Sequence, residues 1–165
     1  MLARSELEAT ILEELRDHTV LSLAVNSEDG PHAVSLMYAN DGFDIYWLSD
    51  PKTRHSNYLT SSSSASVTIA AQHKDFQEIH GLQMEGDAYR ISDPGEESAA
   101  FDLLVARFPF LNKFGAGNLA RHLGAAAIYL FRPVTLTLID NSRGFGFKQT
   151  LIPQENQHEC ASNSS

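Results

Sequence analysis

The N-terminal stretch repeats apolar residues at helical spacing. The apolar positions that share one stripe are Leu7, Ile11, Leu12 and Leu15. Ser5 precedes Glu8 at the spacing of a capping box, which is typical of a helix start. The pattern therefore predicts a first helix from about Ser5 to Asp17, with one apolar face that packs against a core.

Alternating apolar and polar positions predict that much of the remaining chain forms strands. The predicted strands cover residues 20–26, 31–40, 43–49, 65–71, 81–92 and 125–140. Two short turns that contain glycine, Ser27-Glu28-Asp29-Gly30 and Asp41-Gly42, join the first three strands. We expect these strands to pair as antiparallel hairpins, and Pro133 indicates a bulge or an edge position in the last strand.

Two further helices are predicted between the strands. Asp50 can cap the first of them, with Pro51 at its first position and Lys52-Thr53-Arg54 in its first turn. The second begins at Asp93-Pro94-Gly95-Glu96 and ends near Arg107. Residues 109–124 mix aromatic residues with glycines, and we expect an irregular, partly helical excursion there.

The order of these elements indicates the fold class. Strands that are joined mostly by hairpins, with helices inserted at three places, are typical of an antiparallel barrel that carries its helices on the outside. The prediction is a mainly β fold with about six antiparallel strands and peripheral helices. The 165 residues suffice for one domain with a full core, which we place at residues 1–152. We expect the polar residues 153–165 to form a disordered tail.

The charge balance narrows the classes of partner. The chain has 21 acidic and 12 basic residues and a formal charge of −9. This charge disfavours binding to nucleic acid, which needs many Lys and Arg contacts to phosphates. No apolar run is long enough to span a bilayer, and the N-terminal stretch lacks the pattern of a secretion signal. We therefore expect no membrane partner and a cytoplasmic location, and the single cysteine, Cys160, excludes an intrachain disulfide.

The stretch around Asp50 carries candidate chemistry. A helix start offers unpaired backbone N–H groups and the positive end of a dipole, which suit a phosphate group. Lys52, Thr53 and Arg54 add two cations and a hydroxyl at that position. The alternative is an ordinary helix start whose two cations point into solvent. In an acidic chain, a local pair of cations is the more informative observation.

Three segments in order resemble the FMN-binding split-barrel family that includes the pyridoxamine 5'-phosphate oxidases. They are 29–35 (DGPHAVS), 45–54 (IYWLSDPKTR) and 81–86 (GLQMEG). The similarity covers roughly His18 to Ile91. Residues 140–146 (DNSRGFG) are similar to the end of chains in an uncharacterised branch of that family. The resemblance implies a six-stranded antiparallel split barrel.

The resemblance also implies a cofactor and a partner. Members of the family form homodimers with FMN at the interface between two chains, and they act as oxidoreductases on small molecules. Carried over to this sequence, the phosphate would contact Lys52, Thr53 and Arg54. The flavin would be bordered by His32, Val34 and Ser35, by Trp47, Leu48 and Ser49, and by Gln83. No catalytic side chain is implied, because the redox chemistry belongs to the flavin.

Alternatives remain open at several of these positions. Trp47 can be a core residue, and Gln83 can lie on the solvated face of a strand. His32 and Met37 stand where the oxidases usually carry Arg and Lys, so oxidation of pyridoxamine phosphate itself is not expected. The same fold can also hold a flavin, a deazaflavin or haem without turnover. The seven histidines show no pair at a spacing typical of a metal site, so no metal site is predicted.

Overall fold

The computed structural model of the chain describes residues 1–113 and 126–154. Three helices lie around one antiparallel sheet of eight strands. The helices are α1 (Arg4–Asp17), α2 (Arg54–Ser61) and α3 (Pro94–Arg107). The strands are β1 (Val20–Ser27), β2 (Gly30–Met37), β3 (Ala39–Asp41), β4 (Asp44–Ser49), β5 (Ser64–Ala70), β6 (His80–Arg90), β7 (Ala127–Asp140) and β8 (Lys148–Leu151).

The sheet curls into a half-barrel, and this confirms the predicted mainly β fold with peripheral helices. Its strand order is β2-β1-β5-β6-β7-β4-β3, and β8 pairs with the C-terminal part of β7. The number of strands is eight instead of six for two reasons. The predicted strand 31–40 is divided at Tyr38, whose buried hydroxyl donates to the carbonyl of Leu15. The four-residue β8 was not predicted, because so short a segment carries no readable alternation.

The predicted helix starts were right in one case and wrong in two. Asp93 caps α3 as predicted, since its carboxylate accepts a hydrogen bond from the Glu96 N–H at 2.9 Å. Ser5 does not cap α1, because it lies inside the helix and Ala3 occupies the N-cap position. Asp50 does not cap α2 either. Thr53 is the N-cap, and the residues before it form a separate turn.

The apolar residues form two clusters on opposite faces of the sheet. The larger cluster fills the concave side, where α1 and α2 cover residues such as Leu23, Ile45, Val67, Met84 and Phe131. The smaller cluster lies between α3 and the other face of β4 and β7, and includes Ile91, Phe101, Leu104, Ile128 and Leu130. Consecutive residues at the start of β7 therefore face different clusters, which explains why Ala127 to Phe131 are all buried.

The convex face of the sheet carries a row of small polar residues. Ser35, Ser22, Thr68 and Gln83 are cross-strand partners on β2, β1, β5 and β6. Their side chains alternate with the buried residues of each strand and point to the opposite side. One side of this part of the sheet is thus apolar and packed, and the other is polar.

A bulge interrupts the pairing of β6 with β7. Glu85 pairs with Thr135, whereas Gly86 pairs with Pro133, so one extra residue lies on β7. A Cβ atom at Gly86 would lie 2.2 Å from the carbonyl oxygen of Arg132, which explains why glycine stands there. The bulge predicted from Pro133 is confirmed.

The two ends of the described chain are tied together. The side chain of Gln149 on β8 accepts a hydrogen bond from the Leu2 N–H at 2.8 Å and donates one to the Leu2 carbonyl at 2.9 Å. The Arg4 guanidinium donates to the carbonyl of Ile152 at 3.0 Å. These contacts fix the start of α1 against the last strand.

The irregular excursion was predicted for residues 109–124 and the disordered tail for residues 153–165. The described part of the excursion, Pro109–Lys113, is a short 3-10 helix. Residues 114–125 and 155–165 lie outside the described residues. Among the helices that the structure describes, none combines the length and apolar character needed to cross a membrane.

Candidate functional site

The turn between β4 and α2 is the centre of the candidate site. The Thr53 N–H donates to the Asp50 carbonyl at 3.0 Å, and the Lys52 N–H donates to the Asp50 carboxylate at 2.8 Å. Pro51 sits inside this turn, where its fixed φ is favourable. Lys52 therefore lies in the turn before α2, whereas Arg54 is the first residue of the helix and lies within its first turn, as predicted.

Hydroxyl groups gather around the ring of His55 behind this turn. Ser49 Oγ lies 2.6 Å from His55 Nε2, and Thr53 Oγ1 lies 3.2 Å from the same nitrogen. Ser56 Oγ lies 2.8 Å from Thr53 Oγ1. His55 and Ser56 are 5% and 1% exposed, so these contacts are shielded from water. We call these four residues the hydroxyl–histidine cluster.

The protonation of His55 follows from its surroundings. Burial lowers the pKa of His55, and the nearby His32 lowers it further. A neutral imidazole can accept a hydrogen bond at Nε2, so the hydroxyl of Ser49 or Thr53 can donate to it. The cluster thus has no net charge at neutral pH, and it supports the end of β4 and the N-terminus of α2.

Two cations stand on the outer side of the turn. Lys52 and Arg54 are exposed, and neither forms an ion pair with an acidic residue in the part of the chain that the structure describes. The Nε of Arg54 donates to the hydroxyl of Tyr58 at 2.6 Å, which holds the guanidinium close to the helix. The start of α2 therefore combines two cations with unpaired backbone N–H groups.

His32 and Val34 face this region from β2. Their side chains are half-buried on the concave side of the sheet. The ring of His32 is stacked with that of His55 at 6.5 Å between centroids and contacts Tyr58 edge-on at 6.2 Å. Val34 packs against the larger apolar cluster. The structure therefore places His32 beside His55 and Tyr58, which in turn contact Ser49, Thr53 and Arg54.

Trp47 and Leu48 lie in the interior. The Trp47 side chain is fully buried in the larger cluster and stacks on Tyr129 at 5.8 Å between ring centroids. Leu48 points to the other face and packs against the α3 cluster. In this chain, neither side chain reaches the surface of the turn, so any contribution to a ligand there comes from backbone groups.

Ser35 and Gln83 are exposed on the convex face of the sheet. Two strands separate β2 from β6, so along the sheet the two residues lie about 14 Å apart at ordinary strand spacing. They also face away from the side on which α2 packs. Within one chain, the structure thus places these two predicted residues apart from the turn.

Sequence reasoning missed the interior half of the site. His55, Ser56 and Tyr58 complete the hydrogen-bond network but were not predicted to contribute to it. A signal was available, because residues 55, 58 and 59 fall on one face of a helix and would turn inward with it. The arrangement as a whole is suited to hold an anionic group at the start of α2.

Comparisons of the sequence with known proteins identify its relatives. The sequence profile of the pyridoxamine 5'-phosphate oxidase family matches residues 8–138. A UPF0306 protein of Klebsiella pneumoniae is 30% identical over 142 residues, which are 85% of this chain and 89% of that relative. The match to the profile spans the half-barrel from α1 to β7 and includes the turn before α2.

Solved structures share the fold. A heme binding protein from Mycobacterium smegmatis superposes with a TM-score of 0.71 and 17% identity, over 92% of this chain and 59% of its own. A FAD-binding protein from Mesorhizobium loti gives a TM-score of 0.61 and 15% identity, over 78% of this chain and 90% of its own. Together with the profile match, these likenesses establish the fold that the three sequence segments implied. The chain therefore belongs to the pyridoxamine 5'-phosphate oxidase family and has its split-barrel fold.

Proposed function

We propose that the protein binds FMN as a homodimer and acts as an oxidoreductase on a small molecule. The observation that carries the proposal is the turn at Asp50–Thr53, where the exposed cations Lys52 and Arg54 flank Thr53, the N-cap of α2. FMN differs from riboflavin by its phosphate, which requires such a combination of cations and N–H groups. Family membership and a FAD-binding structural neighbour support a flavin as the ligand.

The phosphate would contact Lys52, Arg54 and the backbone of the first turn of α2. Thr53 lies between the two cations in the sequence, and its hydroxyl would exchange the hydrogen bond that it donates to the Asp50 carbonyl at 2.8 Å for one to a phosphate oxygen. The buried His55 and Ser56 and the partly buried Ser49 would position this turn through their mutual hydrogen bonds. Because His55 is neutral, it adds no charge to the site, and the charged side chains of the turn are Lys52, Arg54 and the Asp50 carboxylate.

The flavin ring would be bordered by His32 and by the backbone of strand β4. His32 is half-buried next to α2 and presents a flat ring with a polar edge. Strand backbone and apolar side chains suit the polar rim and the faces of a flavin. When bound, FMN supplies transfer of a hydride or of single electrons. Met37 is neutral and exposed, so this proposal does not include oxidation of pyridoxamine phosphate.

The placement of Ser35 and Gln83 favours a site that two chains share. They belong to the row of small polar residues on the convex face, away from the turn that would hold the phosphate. A second chain that packs on this face can bring its own turn to these residues. Small side chains such as Ser22 and Ala24 permit a close approach of the two sheets.

Titration with FMN tests the proposal directly. Lys52→Ala and Arg54→Ala are each expected to weaken FMN binding by about 1 to 3 kcal/mol, the scale of a lost charge-assisted contact. Riboflavin binding, followed by quenching of flavin fluorescence, should change much less. Lys148→Ala removes a cation from β8 and serves as the matched control, with no expected effect.

Two outcomes would contradict the assignment. Equal weakening for FMN and riboflavin would show that the two cations do not contact the phosphate. Absence of saturable binding at micromolar FMN would reject the flavin site as a whole.

A test of turnover separates an enzyme from a carrier. The enzyme should accept electrons from NADH or NADPH into bound flavin and pass them to an acceptor over many cycles. A protein that holds a flavin, a deazaflavin or haem without cycling is the second candidate, and the heme binding neighbour favours including haem in the titrations. Binding without steady turnover would support this second function.

The dimer can be tested at the convex face. Ser22→Arg places a long charged side chain in the middle of the polar row, and it should shift the protein to a monomer in sedimentation and weaken FMN binding. Ala106→Arg introduces the same side chain at an exposed position of α3 and should leave both properties unchanged. A Ser22→Arg protein that remains dimeric and binds FMN normally would reject the proposed interface.

A further inference from the structure

Three ionisable side chains meet where the end of α1 lies beside the start of β6. Glu14 belongs to the last turn of α1, His18 follows the helix, and His80 is the first residue of β6. Glu14 Oε1 lies 2.8 Å from His80 Nδ1, and Glu14 Oε2 lies 3.2 Å from His18 Nε2. None of the three belongs to the candidate flavin site. We call them the carboxylate–histidine cluster.

The distances in this cluster suit a small divalent cation. The three ligand atoms all lie within 4.8 Å of one another. Bonds of 2.0–2.1 Å in tetrahedral geometry separate neighbouring ligand atoms by about 3.3 Å. Glu14 lies in the last turn of α1 and His18 is the C-cap residue that follows it, so the end of one helix supplies two of the three ligands.

The exposure of the cluster leaves an open side. The side chains of Glu14 and His18 are 14% and 17% exposed, whereas His80 is 39% exposed. Two ligands are therefore held by packing, and the third borders water. A cation bound here could enter from solvent and retain a water molecule at its remaining position.

A fourth nitrogen stands next to the cluster. The ring of His73 contacts that of His80 edge-on, with 4.7 Å between centroids. His73 Nε2 is buried and has no hydrogen-bond partner among residues 1–113 and 126–154. A buried polar nitrogen without a partner is costly, and coordination of a metal or of a metal-bound water would satisfy it.

We propose that Glu14, His18 and His80 bind Zn²⁺ or a chemically similar transition-metal cation, with His73 as an adjacent nitrogen. Imidazole nitrogens with one carboxylate are a donor set for Zn²⁺, Co²⁺ and Ni²⁺, whereas Mg²⁺ and Ca²⁺ prefer oxygen ligands. The bound cation would link α1 to β6. Through Arg107, whose guanidinium donates to the carbonyls of Arg16 and His18, the link would extend to α3.

Without a cation, the same residues form only two hydrogen bonds centred on Glu14. That alternative accounts for the contacts of His18 and His80, but it leaves His73 Nε2 without a partner. The two alternatives differ in whether metal binding depends on these side chains, and this can be measured.

The experiment uses full-length, tag-free protein that has been dialysed against a chelator. Zn²⁺ is titrated by calorimetry, and Co²⁺ by its visible absorption bands, which report the coordination geometry. We expect one equivalent to bind with micromolar affinity. Glu14→Gln and His80→Gln should each weaken binding at least about tenfold, the loss typical even for residues that only support a metal ligand.

Glu13→Gln is the matched control, because it removes the same charge from the neighbouring, exposed position of α1. It should bind Zn²⁺ like the wild type. All proteins are also measured with Cys160→Ser, so that a thiolate contributes to none of the values. Excess Mg²⁺ should not compete.

The melting temperature provides a second measurement. Zn²⁺ should raise it in the wild type and in Glu13→Gln, but not in His80→Gln, whose exposed side chain makes misfolding of that variant improbable. Absence of saturable Zn²⁺ or Co²⁺ binding, or unchanged affinity in both Glu14→Gln and His80→Gln, would overturn the proposal. Neither outcome bears on FMN, because the two sites share no residue.

Discussion

The molecule contains two side-chain clusters that include histidine and are assembled in opposite ways. The hydroxyl–histidine cluster draws Ser49, Thr53, His55 and Ser56 from one short stretch of chain, with His55 and Ser56 buried and Ser49 and Thr53 partly buried. The carboxylate–histidine cluster joins Glu14 and His18 at the end of α1 to His80 of the distant strand β6 and leaves all three partly exposed. In the hydroxyl–histidine cluster the imidazole is neutral and hydroxyl groups contact its Nε2. The second contains a carboxylate and has an open side.

The difference shows how each cluster can function. A buried neutral histidine contributes rigidity, because its hydrogen bonds are shielded from water and depend on one protonation state. The carboxylate–histidine cluster contributes less rigidity by itself, because His80 is 39% exposed and water competes for its contact with Glu14. The first therefore suits the support of a binding turn, and the second suits the capture of a ligand from solvent. The predictions below test this contrast.

The largest effect is expected in the strand that leads to the first cluster. Trp47→Ala should lower the free energy of unfolding by about 3–5 kcal/mol, because it leaves a large cavity among buried residues. Trp47→Phe should cost much less, since it also removes an indole N–H that has no partner among the described residues. Urea denaturation measures both. A small effect of Trp47→Ala would mean that its ring is not part of the core.

A smaller loss is expected within the hydroxyl–histidine cluster. Ser49→Ala removes the hydroxyl nearest to His55 Nε2 and should lower the free energy of unfolding by about 1–3 kcal/mol, the cost of a buried group left without its partner. Ser98→Ala, at an exposed position of α3, is the control and should change stability little. Equal effects of the two substitutions would show that the Ser49–His55 contact contributes nothing to the free energy of unfolding.

The same cluster should make stability depend on pH. The pKa of His55 is lowered in the folded protein, so the unfolded chain binds the proton more readily. The stability that His55 contributes is therefore present above its ordinary pKa of 6.5 and is lost as the pH falls below that value. His55→Gln should reduce the difference in unfolding free energy between pH 7.5 and pH 5. An unchanged difference would contradict a neutral His55.

The smallest effect is expected in the second cluster without metal. Glu14→Gln should change the free energy of unfolding in chelator by less than about 1 kcal/mol, because its partners remain partly solvated. The same variant should lose the stabilisation that added Zn²⁺ gives the wild type. A loss of several kcal/mol in chelator would show that the carboxylate already acts as a buried structural contact.

The same contrast explains what the sequence could and could not reveal. Alternation, turns and apolar stripes are local, so most strands and all three helices were predicted, and Lys52 and Arg54 were identified within one segment. The N-cap of α2 was assigned to the wrong residue, because the side chain of Asp50 caps the preceding turn instead of the helix. His55 was missed because its contacts depend on which way the helix faces.

The carboxylate–histidine cluster was beyond the reach of such patterns. Its residues meet only because β6 lies beside the end of α1 in the folded sheet, and no spacing between positions 18 and 80 encodes that approach. Only the separation of Glu14 and His18 by one helical turn was visible, and it is common on ordinary helices. The division of the predicted strand at Tyr38 likewise depends on a tertiary contact, its hydrogen bond to Leu15.

The reciprocal hydrogen bonds between Gln149 and Leu2 have a consequence for how the native state opens. The side-chain amide of Gln149 forms with Leu2 the pair of backbone hydrogen bonds that a neighbouring strand would form. Detachment of β8 therefore also releases the residues before α1. Amide hydrogens of β8 and of the start of α1 should then exchange with solvent at similar rates, as one cooperative unit. Gln149→Ala would uncouple the two rates, and the first and last described segments would fray independently.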